Sequence, residues 1–166
     1  MRVAALGFGL LLAAGTLPAA AEAGVRVDFL DPQRYTDAGL RGRWRIGLDD
    51  PLLADLRQYL TTLGSRYLKP GEVLAIEVLD LDLAGRYETW RPAAREVRVM
   101  RDDTVPRIVL RYALLRDGQA PRRGQETVSD LAYLTRAGGR TAGDPLYFEK
   151  AMLDDWFRDR FAAGRR

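Results

Sequence analysis

No cysteine and no histidine occur in this 166-residue chain, and its only lysines are Lys69 and Lys150. Without cysteine there is no disulfide framework, no thiolate ligand and no residue for lipoprotein acylation. Without histidine a Ser-His-Asp or Cys-His site is excluded, as is any zinc site built on imidazole or thiolate. What remains for chemistry is carboxylate, arginine, tyrosine and hydroxyl groups. These still admit carboxylate-only hydrolysis or an all-oxygen Ca²⁺/Mg²⁺ site. No cofactor is expected. The net charge of +3 and the pI near 9.4 rest almost wholly on arginine. A nucleic-acid binder gathers its basic residues on one face. Here they interleave with acids, as in Arg101-Asp102-Asp103 and Arg158-Asp159-Arg160, so the surface is mixed and no nucleic-acid partner is expected.

What the chain does have is an address. Met1-Arg2 is followed by an apolar run from Val3 to Leu17, then Pro18 and the small-residue site Ala19-Ala20-Ala21. This is the layout of a cleavable signal peptide. The run falls short of the roughly 20 residues that span a bilayer, so no stable membrane insertion is expected after cleavage. The expectation is a signal peptide over 1–23, cleaved near Ala21 or Ala23, and a single α+β domain over 24–166 that is periplasmic or secreted.

Along that domain, Val25 to Phe29 alternates as a half-buried strand does, and Asp31-Pro32 ends it. Residues 35–49 carry three glycines and no period, which reads as a loop. Asp49-Asp50-Pro51 starts a helix whose apolar residues run from Leu52 to Tyr67; Gly64 loosens its end and Lys69-Pro70-Gly71 stops it. Val73 to Leu83 reads as a central strand, with Leu74, Ile76 and Val78 on one face and Leu79, Leu81 and Leu83 on the other. Further strands are expected at Glu96–Met100, Ile108–Leu115 and Glu126–Leu134, the last led in by Arg122-Arg123-Gly124. Asp144-Pro145 opens a last helix to Phe161, with Met152, Leu153, Trp156 and Phe157 on one side. The order predicts a two-layer α+β sandwich: a largely antiparallel sheet of about five strands with two helices on one face.

Two carboxylates, Asp80 and Asp82, stand two residues apart in Asp80-Leu81-Asp82-Leu83-Ala84-Gly85. Strand geometry sets them on one face about 7 Å apart, close enough to share a cation or act as an acid–base pair, with Asp130 and Glu149 as the acids that would complete such a site. A strand leaving its sheet into water also explains them. Glu149 falls in the same helical arc as Met152, Leu153 and Trp156, where a carboxylate must snorkel, pair or titrate. An ion pair to the sheet is expected in a chain this rich in arginine, with a functional acid as the alternative. Trp156 belongs to the core stripe. Trp44 and Trp90 lie beside arginines in loop-like stretches and are candidates for recognition, or for folding back onto the core.

Asp31-Pro32 with Tyr35-Thr36-Asp37, the Asp80–Gly85 stretch, Pro106-Arg107-Ile108, Glu126 with Asp130, and Glu149-Lys150 with Asp154-Asp155-Trp156-Phe157 follow in that order. The combination resembles the family of small exported Gram-negative proteins known as domain of unknown function 3016, over nearly the whole domain. The resemblance implies a periplasmic or secreted single domain and assigns no activity, cofactor or catalytic residue. The chain is therefore expected to be a non-enzymatic domain of the cell envelope, binding an envelope protein or a small ligand through its loops and the uncovered sheet face. The alternative is a carboxylate-based enzyme or Ca/Mg-binding protein centred on Asp80 and Asp82.

Overall fold

The computed structural model describes residues 24–37, 50–88, 90, 98–136 and 143–162. Strand β1 (Gly24–Phe29) is followed by a short 3-10 turn at Pro32–Arg34 and by helix α1 (Pro51–Tyr67). Strand β2 (Glu72–Asp82) comes next, then β3 (Arg86–Tyr87) and β4 (Arg98–Val99). Strands β5 (Arg107–Arg116) and β6 (Arg122–Ser129) form a hairpin, and helix α2 (Tyr147–Phe161) closes the order. The fold class is α+β, as the element order predicts. The main sheet has the order β1-β2-β5-β6, and β3 and β4 form a separate two-stranded ladder. β1 runs parallel to β2, because the α1 crossover returns the chain in the same direction, whereas β2–β5 and β5–β6 are antiparallel.

The helix starts are local chemistry. The Asp50 carboxylate accepts from the Leu52 N–H at 2.9 Å ahead of Pro51, and Asp144 accepts from the Leu146 N–H at 2.8 Å ahead of α2. Each satisfies an amide that the first helical turn leaves without a partner. Leu53, Leu56, Leu60 and Leu63 of α1 meet Met152, Leu153, Trp156 and Phe157 of α2 over one face of the sheet. Lys150 ties the helices together, donating to Asp144 at 2.8 Å and to Asp55 of α1 at 2.9 Å. Gly64 does not loosen α1: it is buried in the helix, and a Cβ there would lie 2.1 Å from Val25 Cγ2. The missing side chain is what lets β1 lie against α1.

Two strand expectations need correction. The register of β2 against β5 steps from Val78↔Leu110 to Asp80↔Val109, leaving Leu79 as an extra residue. After this bulge Leu81 and Leu83 return to the same buried face as Leu74, Ile76 and Val78. The leucines of β2 before and after the bulge thus share one covered face, so the strand is not partly covered on both faces as its pattern suggests, and the helices lie on one face of the sheet as expected. The last strand spans Arg122–Ser129 and stops before Leu134, because the Asp130 carboxylate accepts from the Ala132 N–H at 3.0 Å and turns the chain. The strand expected over Glu96–Met100 is described at Arg98–Val99 only.

Candidate functional site

The bulge at Leu79 decides what the Asp80–Gly85 stretch presents. Asp80 and Asp82 turn to the open face, and Leu81 and Leu83 to the core. Arg107, the cross-strand partner of Asp82, reaches both carboxylates, with Nη2 at 3.1 Å from Asp80 and 3.3 Å from Asp82. Thr36 adds its backbone N–H at 2.7 Å and its hydroxyl at 2.8 Å to the Asp80 carboxylate. Burial pushes the Asp80 carboxyl up, but the two Thr36 bonds and Arg107 outweigh it and hold the group below the usual carboxylate range. The neighbouring Asp37 accepts from the Leu83 N–H at 2.7 Å, and burial drives its carboxyl upward.

Glu149 reaches the same stretch from the helix side. Its Oε1 accepts from the Ala84 N–H at 2.7 Å, and Arg98 Nη2 lies 3.7 Å away. Arg98 also donates to the Ala84 carbonyl. The Glu149 side chain is fully buried, and its Oε2 has no hydrogen-bond partner among the described residues. Burial raises its carboxyl above the ordinary value, and Arg98 and the Ala84 N–H counter only part of that. The expected ion pair is thus made to Arg98 of the small β3–β4 ladder.

The four acids do not converge. Asp80 and Asp82 face the open side, Glu149 lies on the core side, and Asp130 pairs with Arg136 at the end of β6. Arg107 occupies the place between Asp80 and Asp82 that a shared cation would take. Among the described residues no group of three or more acids could hold a metal ion. Trp90 is 66% exposed, and Trp44 lies outside the described residues. The arginines that bind the acids, Arg98 and Arg107, carry no local mark in the sequence pattern that pairs them with these acids. The available signal for Arg107 was its place at the start of the strand that pairs with β2.

The open face carries a broad concavity. A cavity of about 630 Å³ runs across all four strands and is lined by Arg26, Asp28, Ala75, Glu77, Arg111 and Arg123 among others. Glu77 and Arg111 close on each other at 2.8 Å. In register, Arg26, Ala75, Ala113 and Arg123 form one row, so two small side chains form the floor between two guanidinium groups. Such a surface can recognise a ligand through shape and charge, and of its two carboxylates, Asp28 and Glu77, the latter is ion-paired to Arg111.

Fold and site together define a small α+β protein with helices on one sheet face and a charged, open face on the other. No helix among the described residues is long and apolar enough to cross a membrane. The chain belongs to the DUF3016 family of proteins of unknown function, whose family model matches residues 23–159. No curated protein and no solved structure matches it.

Proposed function

We propose that this protein is an exported binding domain of the cell envelope, periplasmic or secreted, that acts without catalysis of its own. The reading takes residues 1–23 as a cleaved leader and residues 24–166 as one domain. The observation that carries the binding role is the open sheet face. Two helices cover one side of the sheet, while the other keeps a cavity of about 630 Å³ lined by charged and small residues. A sheet needs only one packed face to fold, so the second face is free for recognition.

The test places a photo-crosslinking residue in the living cell, once at Ala113 on the open face and once at the exposed Gln58 on α1. An adduct from position 113 in the periplasmic fraction, absent from position 58, supports the assignment. Adducts from position 58 alone would move binding to the helical side. A chain that stays in the cytoplasm with residues 1–20 attached would end the envelope assignment.

A further inference from the structure

Strand β6 forms an edge of the main sheet, eight residues long and unbroken by proline or bulge. The Asp130 N–H donates to the Pro106 carbonyl, which sets the alternation of the β5–β6 ladder. Even-numbered residues of β6 therefore bond to β5, and Arg123, Gln125, Thr127 and Ser129 point their N–H and C=O groups outward. An edge of this kind is a ready template for another strand, and charged side chains or proline are the usual protection.

Three further observations fall on the same edge. A cavity of about 360 Å³ is lined by five consecutive residues, Glu126 to Asp130, and by α2. Because residues of both strand faces line it, it runs along the edge rather than beneath one face. Charge is divided along the strand: Arg122 and Arg123 open β6 with no ion pair among the described residues, whereas the cavity at its other end is lined by four carboxylates, Glu126, Asp130, Asp155 and Asp159, against two guanidinium groups, Arg136 and Arg160, so a net negative charge remains there. Leu131, just past the strand, is 81% exposed.

A strand that is positive at one end and negative at the other complements itself when a second copy runs antiparallel to it. We propose that β6 of two copies pair across a two-fold axis perpendicular to the sheet, giving one continuous eight-stranded sheet with all helices on the same face. With Gln125 opposite the second copy's Thr127, the outward groups make about eight hydrogen bonds. Arg122 then faces the second copy's Asp130, beside the Arg136 that already pairs with that carboxylate. Glu126 meets its own copy, but its carboxylate is already held by Trp156 Nε1 at 2.9 Å and Arg160 at 3.0 Å. This pairing uses the backbone edge of β6, whose Arg123 and Gln125 also line the open-face cavity.

Sedimentation of the leaderless chain over a concentration series is expected to show a monomer–dimer equilibrium that loosens as salt is raised. Thr127→Pro removes an outward N–H without touching the β5 ladder, and Arg122→Glu sets like charges against each other. Each should weaken the dimer at least about tenfold, with the monomer melting as before at low concentration. Amide exchange supplies a readout that needs no variant: Gln125 and Thr127 should become protected as concentration rises. A chain that stays monomeric at every concentration overturns the proposal, and so does a dimer indifferent to both substitutions. β6 amides protected only when a periplasmic fraction is added would assign the edge to another protein's strand and overturn self-pairing as well.

Discussion

Glu149 accepts a hydrogen bond from the Ala84 N–H at 2.7 Å, across 65 residues of chain. With Arg98 on the carbonyl of the same residue, the peptide groups on either side of Ala84 are both held by charged side chains. The first turn of α2, the end of β2 and the β3–β4 ladder are fastened at this point.

Substituting Glu149 tests that fastening. Glu149→Ala strands the Arg98 guanidinium and the Ala84 N–H, and breaking a buried pair from one side costs about 3–5 kcal/mol. Glu149→Gln keeps the shape and exposes the pH dependence. The Glu149 carboxyl is raised in the folded state, so the fold binds its proton more readily than the unfolded chain does. Wild-type stability should therefore gain on Glu149→Gln as pH falls toward the ordinary glutamate value of 4.5 and level off below it. Denaturant melts of both proteins across pH check this, and a difference that shrinks on acidification contradicts it.

Asp80 should behave with the opposite sign. Its carboxyl is lowered in the fold, so its contribution is present above the ordinary value of 3.8 and lost as pH falls through the lower folded value. The advantage of wild type over Asp80→Asn should vanish in that more acidic window, read from the same melts.

Arg107 decides whether divalent ions matter. Wild type should show no melting shift in millimolar Ca²⁺ or Mg²⁺, since a guanidinium already bridges Asp80 and Asp82. Arg107→Ala leaves two carboxylates facing each other and should lower stability by roughly 1 kcal/mol. That variant alone should then be stabilised by the ions, by about 2.7 kcal/mol at a hundredfold excess over the dissociation constant. A shift in wild type that disappears in Asp80→Asn, Asp82→Asn would restore a metal role for the pair.

Gly64 and Val25 offer a size test. Gly64→Ala forces a methyl group onto Val25 and should cost about 1–3 kcal/mol by overpacking. Val25→Ala in the same chain should return part of that loss. Equal, additive losses in a double-mutant cycle would mean that β1 does not rest on Gly64.

Trp156 joins α2 to the edge strand through its bond to Glu126, while its ring packs edge-on against Tyr112 at 5.7 Å. Trp156→Ala should cost about 3–5 kcal/mol. A loss under about 0.5 kcal/mol, within the range of ordinary surface substitutions, would remove α2 from the core.

What could be read from the chain followed from local rules. Asp50-Pro51 and Asp144-Pro145 announce both helices, because capping and the fixed proline angle act within a few residues. Leu74, Ile76 and Val78 mark a buried strand face for the same reason. The misreadings were of non-local features. A period-2 pattern carries no sign of the extra residue at Leu79, which shows only against the partner strand. The parallel seat of β1 beside β2 depends on where α1 returns the chain. At the candidate site, Asp80 and Asp82 were legible as a pair and Glu149 as a buried acid. Their arginine partners, Arg107 and Arg98, come from other strands; the place of Arg107 at the start of the strand that pairs with β2 hints at its match, and nothing near Arg98 in the chain does so.

Leu79 gives β2 an unusual tolerance. Each half of the strand keeps its own alternation, and the two halves are joined out of step by this one residue. Removing Leu79 would bring them into step while leaving every other side chain on the face that it now occupies. Removing one residue from within either half of the strand would instead carry leucines into water or aspartates into the core. In β2, then, the residue with no cross-strand partner is the one that the pattern of faces can lose.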